Sequence, residues 1–168
     1  MAIHGRGDIA SVITDKDGYI FYCNGVSNRL PLTKDAMAKE VTEVSSTPKD
    51  SMFVYISTLS IYYSNSEYTQ HKMRMEAIIQ KNFPNYCIFR IGNIKWGDNP
   101  NTLINKLGSD IYHKRPLQIK DEYRYIIDKE EFRHWISMIP QTGKHEMNVT
   151  GQRFKVRTIV EQIKNFKL

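Results

Sequence analysis

The stretch MFVYIS, residues 52–57, decides the fold class of this chain. It is a short apolar run rich in aromatic and β-branched residues, which is typical of a strand buried on both faces. Two runs of the same character are YIFYC at residues 19–23 and YCIFRI at residues 86–91. Helical patterns at residues 35–44 and about 65–82 separate the three runs. Strands that alternate with helices predict an α/β fold with a mainly parallel sheet.

The ends of these segments carry local signals. Thr33 or Asp35 is a candidate cap for the first long helix. Ser64 and Glu67 have the spacing of a capping box at the start of the second, and Pro84 stops it. Weaker patterns predict helical segments at residues 8–14, 101–107, 129–139 and 157–166, a mixture of short strand and turn at 118–127, and a strand at 146–149.

Composition limits the class of protein. The chain has 168 residues, 40% hydrophobic and 25% charged. This is the size of one domain, and the composition excludes collagen-like, low-complexity and wholly disordered proteins. No apolar run approaches the ~20 residues that span a bilayer, and no signal peptide precedes Gly5. We therefore expect a cytoplasmic protein in which Cys23 and Cys87 are free thiols.

The charge of the chain says little about its partners. The formal net charge is +6, but the cations are scattered rather than grouped. A solvated basic surface is the first interpretation, phosphate binding the second and nucleic acid the third. The five histidines are dispersed without metal-ligand spacing, so no metal site is expected.

The most informative residues follow the run at 52–57. Ser57 and Thr58 lie at the carboxyl end of a predicted strand, where ligands bind in open α/β sheets. Tyr68 and Lys72 are four residues apart on the next predicted helix, so they share one face. A nearby ammonium lowers the pKa of a phenol, and a strand-end hydroxyl can hold a substrate oxygen beside it. The pattern indicates proton transfer to or from an alcohol or carbonyl.

Several motifs in this order resemble the extended short-chain dehydrogenase/reductase family, which contains nucleotide-sugar epimerases, dehydratases and reductases. The resemblance runs from about Gly18 to the end of the chain. Thr58 matches the catalytic Ser/Thr of the family. Tyr68 and Lys72 match its Tyr-x-x-x-Lys pair, with Glu76 at a commonly acidic position.

Other segments extend the resemblance to cofactor and substrate. Residues 19–26 look like the fourth strand and the turn under the nicotinamide ribose, which implies cofactor contacts for Asn24 and Gly25. Lys72 of the Tyr-x-x-x-Lys pair is implied to hydrogen-bond the same ribose. Residues 89–93 resemble the segment whose Asn, here Asn93, contacts substrate. Arg124 matches an Arg that meets a substrate phosphate, and Ser57 is expected beside them.

The resemblance implies a reduced Rossmann-like α/β fold with a mainly parallel sheet flanked by helices. The chain is expected to form one compact domain, with its core at about residues 1–95. A small substrate-binding portion is expected at about residues 96–168.

The start of the chain departs from the family. Residues 5–10 read GRGDIA, a Gly-x-Gly-x-x-Ala variant of the dinucleotide turn, in which Gly5, Gly7 and Ala10 would face a pyrophosphate. No room remains for the second and third strands, which predicts an N-terminally shortened member. One interpretation is a compressed dinucleotide turn on the first strand. The other is a loop in a chain that begins near the third strand of the family. Context favours the first.

Two main functional hypotheses follow. In the first, the chain is an NAD(P)-dependent epimerase, dehydratase or reductase acting on a nucleotide-activated sugar, as in polysaccharide biosynthesis. The resemblance implies that the Tyr68 phenolate is the base, that Thr58 steadies the reacting oxygen, and that NAD or NADP takes the hydride. In the second, the chain is an inactive relative that binds a sugar nucleotide or a protein. The missing strands would expose a sheet edge, so we also expect a homodimer.

Overall fold

The structure is a computed structural model that describes residues 2–27 and 32–166. Within these ranges the strands are β1 (Ile3–His4), β2 (Tyr19–Tyr22), β3 (Met52–Thr58), β4 (Tyr86–Ile91), β5 (Asn93–Ile94), β6 (Tyr123–Ile127), β7 (Lys144–Val149) and β8 (Gln152–Lys155). The helices are α1 (Lys34–Ser46), α2 (Glu67–Asn82), α3 (Leu103–Tyr112), α4 (Lys129–Ser137) and α5 (Val156–Lys164). Two 3₁₀ turns cover Ala10–Val12 and Leu59–Tyr62.

The larger sheet confirms the predicted fold class. Its strand order is β1-β2-β3-β4-β7, and every neighbouring pair is parallel. The central strands β3 and β4 are buried along their whole length except at Thr58. Helices cover both faces, as a parallel sheet requires, because its strands carry apolar residues on each side.

Alternate residues of each strand build two separate cores. On one face, Phe53 and Ile88 pack in a cluster with Val44 of α1 and with Met75 and Ile79 of α2. On the opposite face, Val54 and Phe89 pack with Phe132 and Ile136 of α4. The period of two in the strands thus determines which helix covers which face.

The sequence did not predict a second sheet of three strands in the order β5-β6-β8. Strand β5 pairs in parallel with β6, and β6 pairs in antiparallel fashion with β8. Only Gly92 separates β4 from β5, so the small sheet begins directly at the carboxyl end of the large one. A Cβ on Gly92 would lie 2.6 Å from the Tyr125 carbonyl oxygen, and glycine permits this approach.

Residues 8–14 do not form the predicted helix. Only Ala10–Val12 form a 3₁₀ turn, while Val12 and Ile13 are buried against the large sheet. The Asp8 carboxylate accepts hydrogen bonds from the amides of Asp98 and Asn99. These long-range contacts replace the local hydrogen bonds on which the helical pattern depended.

The start of α2 also differs from the prediction. Ser66, not Ser64, is its cap, and the box partner is Thr69 rather than Glu67. The Ser66 hydroxyl accepts from the Thr69 amide at 3.2 Å, and the Thr69 hydroxyl accepts from the Ser66 amide at 2.9 Å. At α1, Thr33 is the cap, as one of the two predicted candidates.

No helix in the described ranges has both the length and the apolar character needed to cross a bilayer.

Candidate functional site

Thr58 lies where β3 ends and the chain turns. Its hydroxyl accepts a hydrogen bond from the Ser60 amide at 3.1 Å and caps the 3₁₀ turn Leu59–Tyr62. The same hydroxyl donates to the Ser60 hydroxyl at 3.1 Å. The sequence Ser-Thr-Leu-Ser therefore ends the strand and directs Thr58 toward the turn that leads to α2.

Tyr68 stands in the first turn of α2, close to Thr58. Burial raises the pKa of Tyr68 to about 12, and the nearby Thr58 hydroxyl opposes that rise. Negative charge on Glu40 and the Tyr63 phenol raise it further. In this state the phenol keeps its proton at neutral pH.

Lys72 lies one turn further along α2 and is 3% exposed. Its Nζ is 6.0 Å from the centre of the Tyr68 ring. It donates to the Tyr55 hydroxyl at 2.9 Å and lies 3.6 Å from Glu40 Oε1. Burial lowers the pKa of Lys72, and Glu40 opposes this effect. The structure thus brings Thr58, Tyr68 and Lys72 together at the carboxyl end of β3.

The partner of Lys72 was not predicted from the sequence. Glu40 of α1 is 2% exposed and accepts hydrogen bonds from the Tyr55 hydroxyl at 2.6 Å and the Val26 amide at 2.7 Å. Oε2, the oxygen that the Val26 amide binds, is 3.0 Å from Nε2 of buried His71. We call Glu40, Tyr55, His71 and Lys72 the buried pair cluster. The available signal was helical spacing, because Glu40 lies four residues before buried Val44 and so shares its inward face.

Asn24 and Gly25, the predicted residues of the ribose turn, follow β2 directly. The Asn24 amide donates to Glu43 at 3.0 Å. Gly25 packs against the buried pair cluster, and a Cβ there would lie 2.6 Å from Lys72 Nζ and 2.7 Å from Glu40 Oε1. Only a glycine fits between this turn and the two charges.

The Gly-rich segment at residues 5–10 lies at the carboxyl end of β1, beside β2. A Cβ on Gly5 would approach the Cys23 carbonyl to 3.0 Å, whereas Gly7 has open space around its Cβ position. Ala10 is buried in the 3₁₀ turn. The parallel pairing of β1 with β2 agrees with the compressed-turn interpretation, because the first and fourth strands are neighbours in the Rossmann order.

The residues expected to hold a nicotinamide cofactor give a mixed fit to that group. Strand-end hydroxyls, a buried cation and a glycine turn lie together at the ends of β2 and β3, and Gly7 leaves the turn after β1 open. Asp8 brings a carboxylate into that same turn, although its oxygens face the amides of Asp98 and Asn99. The residues fit the nicotinamide half of such a group better than its diphosphate.

Ser57 belongs to an internal polar network. It is 3% exposed and donates to Glu76 Oε1 at 2.6 Å. Arg90 binds the same carboxylate through two nitrogens, at 3.0 and 2.6 Å, and contacts Glu146 at 2.8 Å. Arg90 also donates to the Tyr62 hydroxyl at 3.0 Å. This network ties α2 to three strands and fixes the position of Tyr62.

The other two predicted substrate residues lie near the small sheet. Asn93 donates its amide to the Tyr125 carbonyl at 3.1 Å. Arg124 pairs with Glu122 at 2.6 Å, and its guanidinium carbon is 5.8 Å from the centre of the Tyr63 ring. Arg124 thus stands near an aromatic ring beside the turn that follows Thr58.

An open cleft of about 290 Å³ has Tyr63, the ring that faces Arg124, in its lining. We call it the tyrosine cleft; its lining residues are Leu59, Tyr62, Tyr63, Tyr125, Asn148 and Thr150. The Ser60 hydroxyl joins the cleft to the predicted site, because it contacts both Thr58 and the Tyr63 hydroxyl. The sequence did not predict this cleft, because Tyr125 of β6 meets Tyr62 and Tyr63 of the turn after β3 only through tertiary packing.

In the ranges that the structure covers, no group of three or more His, Cys, Asp or Glu side chains is arranged to hold a metal ion. Neither a protein-family model nor a curated protein sequence matches the chain.

Solved structures do match it. The Bordetella bronchiseptica enzyme WbmG in complex with NAD and UDP superposes with a TM-score of 0.61 at 14% identity, over 79% of this chain and 48% of that one. Capsular polysaccharide assembling protein CapF from Staphylococcus aureus gives 0.59 at 16% identity, over 95% and 46%. UDP-glucose 4-epimerase from Thermus thermophilus in complex with NAD gives 0.54 at 13% identity, over 77% and 52%.

The chain therefore spans about half the length of these structures. At such low identity the likeness concerns the backbone. We conclude that the chain has the Rossmann-like α/β fold that these three proteins share.

Proposed function

We propose that the chain is a member of the extended short-chain dehydrogenase/reductase family and acts with NAD or NADP on a nucleotide-activated sugar. The reaction is an epimerisation, a dehydration or a reduction. One observation carries the proposal: Thr58, Tyr68 and Lys72 converge at the carboxyl end of β3, between the Gly25 turn and the tyrosine cleft. Ligands of open α/β folds bind at this edge.

Tyr68 is the proposed base. The cofactor, when bound, supplies the hydride acceptor. Thr58 holds the reacting oxygen of the sugar, and Tyr68 removes its proton. Because the pKa of Tyr68 is about 12 in this state, we expect proton removal from the substrate to quicken as the pH rises.

The proposed cofactor contacts follow the strand ends. Asn24, Gly25 and Lys72 stand at the nicotinamide ribose, and the turn of Gly5, Gly7 and Ala10 faces the diphosphate. Between that turn and β2, residues 11–18 contain no strand, so the site is proposed to be a shortened one. The acid that would hold the adenosine ribose has no strand to carry it there.

The proposed substrate contacts lie around the tyrosine cleft. Tyrosine rings suit the apolar face of a sugar, and Arg124 suits a phosphate. Asn93 and Ser57 stay in the proposal as contacts that need a rearrangement, since both are now bonded inside the protein. The NAD and UDP bound to WbmG and the capsular polysaccharide role in the name of CapF support this substrate class.

A second function has its own support. Asp8 stands in the proposed diphosphate turn, and its carboxylate would repel a pyrophosphate there. An inactive relative that binds a sugar nucleotide or a protein partner would tolerate it.

Cofactor titration separates the two functions. A ligand that binds only the folded state stabilises it by RT ln(1 + [L]/Kd), about 2.7 kcal/mol at a hundredfold excess over Kd. We expect NADH or NADPH to raise the melting temperature. The enzyme proposal fails if millimolar concentrations of both leave it unchanged.

A substitution then tests the base. Tyr68→Phe should abolish turnover of sugar nucleotides and leave the NADH-induced thermal shift in place. Tyr112→Phe is the matched control, because Tyr112 is 83% exposed and distant in sequence from the site. Full turnover by Tyr68→Phe would remove Tyr68 from the mechanism.

Two further features complete the proposal. Cys23 and Cys87 are both free thiols, which suits a cytoplasmic location. We also propose a homodimer formed over an edge of the large sheet, whose edge strands are β1 and β7. A monomer mass by light scattering at micromolar concentration would contradict it.

A further inference from the structure

The four members of the buried pair cluster lie between α1, α2 and β3, and each is less than a tenth exposed. Relative exposures are 2% for Glu40, 0% for Tyr55, 4% for His71 and 3% for Lys72. Charged side chains are almost never this deeply buried unless they are paired. The four side chains come from three separate elements, so the cluster is a tertiary arrangement rather than a product of neighbouring sequence.

The oxygens of Glu40 are divided between two tasks. Oε2 accepts from the Val26 amide at 2.7 Å and lies 3.0 Å from His71 Nε2. Oε1 accepts from the Tyr55 hydroxyl at 2.6 Å and faces Lys72 Nζ at 3.6 Å. One oxygen is thus anchored, and the other is presented to the ammonium.

Tyr55 connects the two charges. Its hydroxyl donates to Glu40 and at the same time accepts from Lys72 at 2.9 Å. A phenol placed in this way uses both its donor and its acceptor capacity. The hydroxyl thus bridges the carboxylate and the ammonium, which are not hydrogen-bonded to each other directly.

We propose that Glu40 is the counter-ion that keeps Lys72 charged inside the protein, with Tyr55, His71 and the Val26 amide holding its carboxylate in place. An unpaired ammonium at this depth would give up its proton, because burial penalises the charged form. A carboxylate a few ångströms away restores the charge. Glu40 is therefore a positioning residue for Lys72.

The consequence for catalysis rests on the proposed function. If Tyr68 is the base, it needs a charged Lys72, and Glu40 supplies the condition for that charge. The counter-ion role itself needs no cofactor and no turnover, so it can be tested on the protein alone.

Several other titratable groups surround Lys72. Cys23 approaches from the end of β2, and Glu76 and Tyr68 stand on the same helix as Lys72. Glu76 is bound to Arg90 through both oxygens, so its charge is already compensated. Glu40 is the carboxylate that lies within ion-pair distance of the ammonium, at 3.6 Å.

The test is a pH titration of the lysine side chains by NMR, following ¹³Cε and ¹⁵Nζ shifts, with Lys72→Met to identify the Lys72 signal. In Glu40→Gln we expect the pKa of Lys72 to fall by about 1–3 pKa units, the range for loss of an opposite charge at this distance. Glu43→Gln is the matched control. Glu43 lies on the same helix but hydrogen-bonds Tyr22 and Asn24 instead of Lys72.

A second variant guards against misfolding of Glu40→Gln. Tyr55→Phe keeps the ring and removes the bridging hydroxyl, and it should lower the pKa of Lys72 by a smaller amount. The proposal is overturned if the Lys72 titration is the same in wild type and in either folded variant, or if Glu43→Gln lowers it equally.

A turnover measurement separates this result from the proposed function. As the pH rises, Glu40→Gln should lose turnover at a lower pH than the wild type does, because Lys72 loses its proton at a lower pH in the variant. If no cofactor binds at all, the proposed function fails, and the titration of Lys72 still decides the role of Glu40.

Discussion

At the scale of single residues, Gly25 has no room for a side chain. Its Cα faces both Lys72 and Glu40, and neither side chain can move away without breaking the ion pair between them. We expect Gly25→Ala to lower the free energy of unfolding by about 1–3 kcal/mol, as overpacking in a tight interior does. Urea denaturation measures the loss.

Gly7→Ala is the control for that substitution. No atom lies within 4 Å of a Cβ at Gly7, so the free energy of unfolding should change by no more than about 0.5 kcal/mol. Equal losses in both variants would mean that glycine flexibility, and not contact with Lys72 and Glu40, sets the effect.

At the scale of elements, the first turn of α2 matters to the site because it positions Tyr68. The reciprocal hydrogen bonds of Ser66 and Thr69 satisfy two amides that have no partner within the helix. Ser66→Ala should lower the free energy of unfolding by about 0.5–2 kcal/mol, measured by thermal or urea unfolding.

Ser64 gives this experiment its control. Ser64 contributes its carbonyl oxygen, which accepts from the Thr69 hydroxyl at 3.0 Å and survives replacement by alanine. Ser64→Ala should therefore be close to neutral. A larger loss in Ser64→Ala than in Ser66→Ala would place the cap at Ser64, as its spacing to Glu67 suggests.

At the scale of the whole molecule, carboxylates make the free energy of unfolding depend on pH. Burial alone would raise the pKa of Glu40, but Lys72 and the hydrogen bonds around it hold that pKa below its usual value. A hydrogen bond from Tyr22 does the same for Glu43, and one from Arg90 for Glu146. The folded state therefore binds fewer protons than the unfolded state in the acid range.

The direction of the effect follows from proton linkage. The stabilisation is fully present above the unfolded pKa of about 4.3 and is lost as the pH falls through the lower folded values. We expect the free energy of unfolding to decrease from pH 6 to pH 3 and the slope to be shallower in Glu40→Gln. Urea unfolding across this range measures it, and a flat profile in the wild type would contradict the assignment.

The sequence predicted the large sheet because its central strands are continuous apolar runs that only a doubly covered sheet can bury. It did not predict β8, since residues 152–155 are mostly exposed and become a strand only by pairing with β6. The helix predicted at residues 8–14 was wrong for a related reason. The Asp8 carboxylate is hydrogen-bonded to the distant amides of Asp98 and Asn99.

Part of the candidate site could likewise be predicted from local sequence, and part could not. Thr58, Tyr68 and Lys72 come together because they flank one strand end and one helix start, which are features of local sequence. Glu40 reaches Lys72 only through the packing of α1 on α2, and Tyr125 reaches the tyrosine cleft only through the small sheet. Long-range contacts of this kind leave little trace in spacing or composition.

The two sheets are joined by two very short covalent links. Gly92 alone connects β4 to β5, and residues 150–151 connect β7 to β8. Two tethers this short limit how far the sheets can separate or slide past each other. The tyrosine cleft draws its walls from both sides of these tethers, so its width is set when the protein folds. If the cleft holds the proposed sugar, discrimination among sugars is expected to come from its size and shape rather than from closure of a lid.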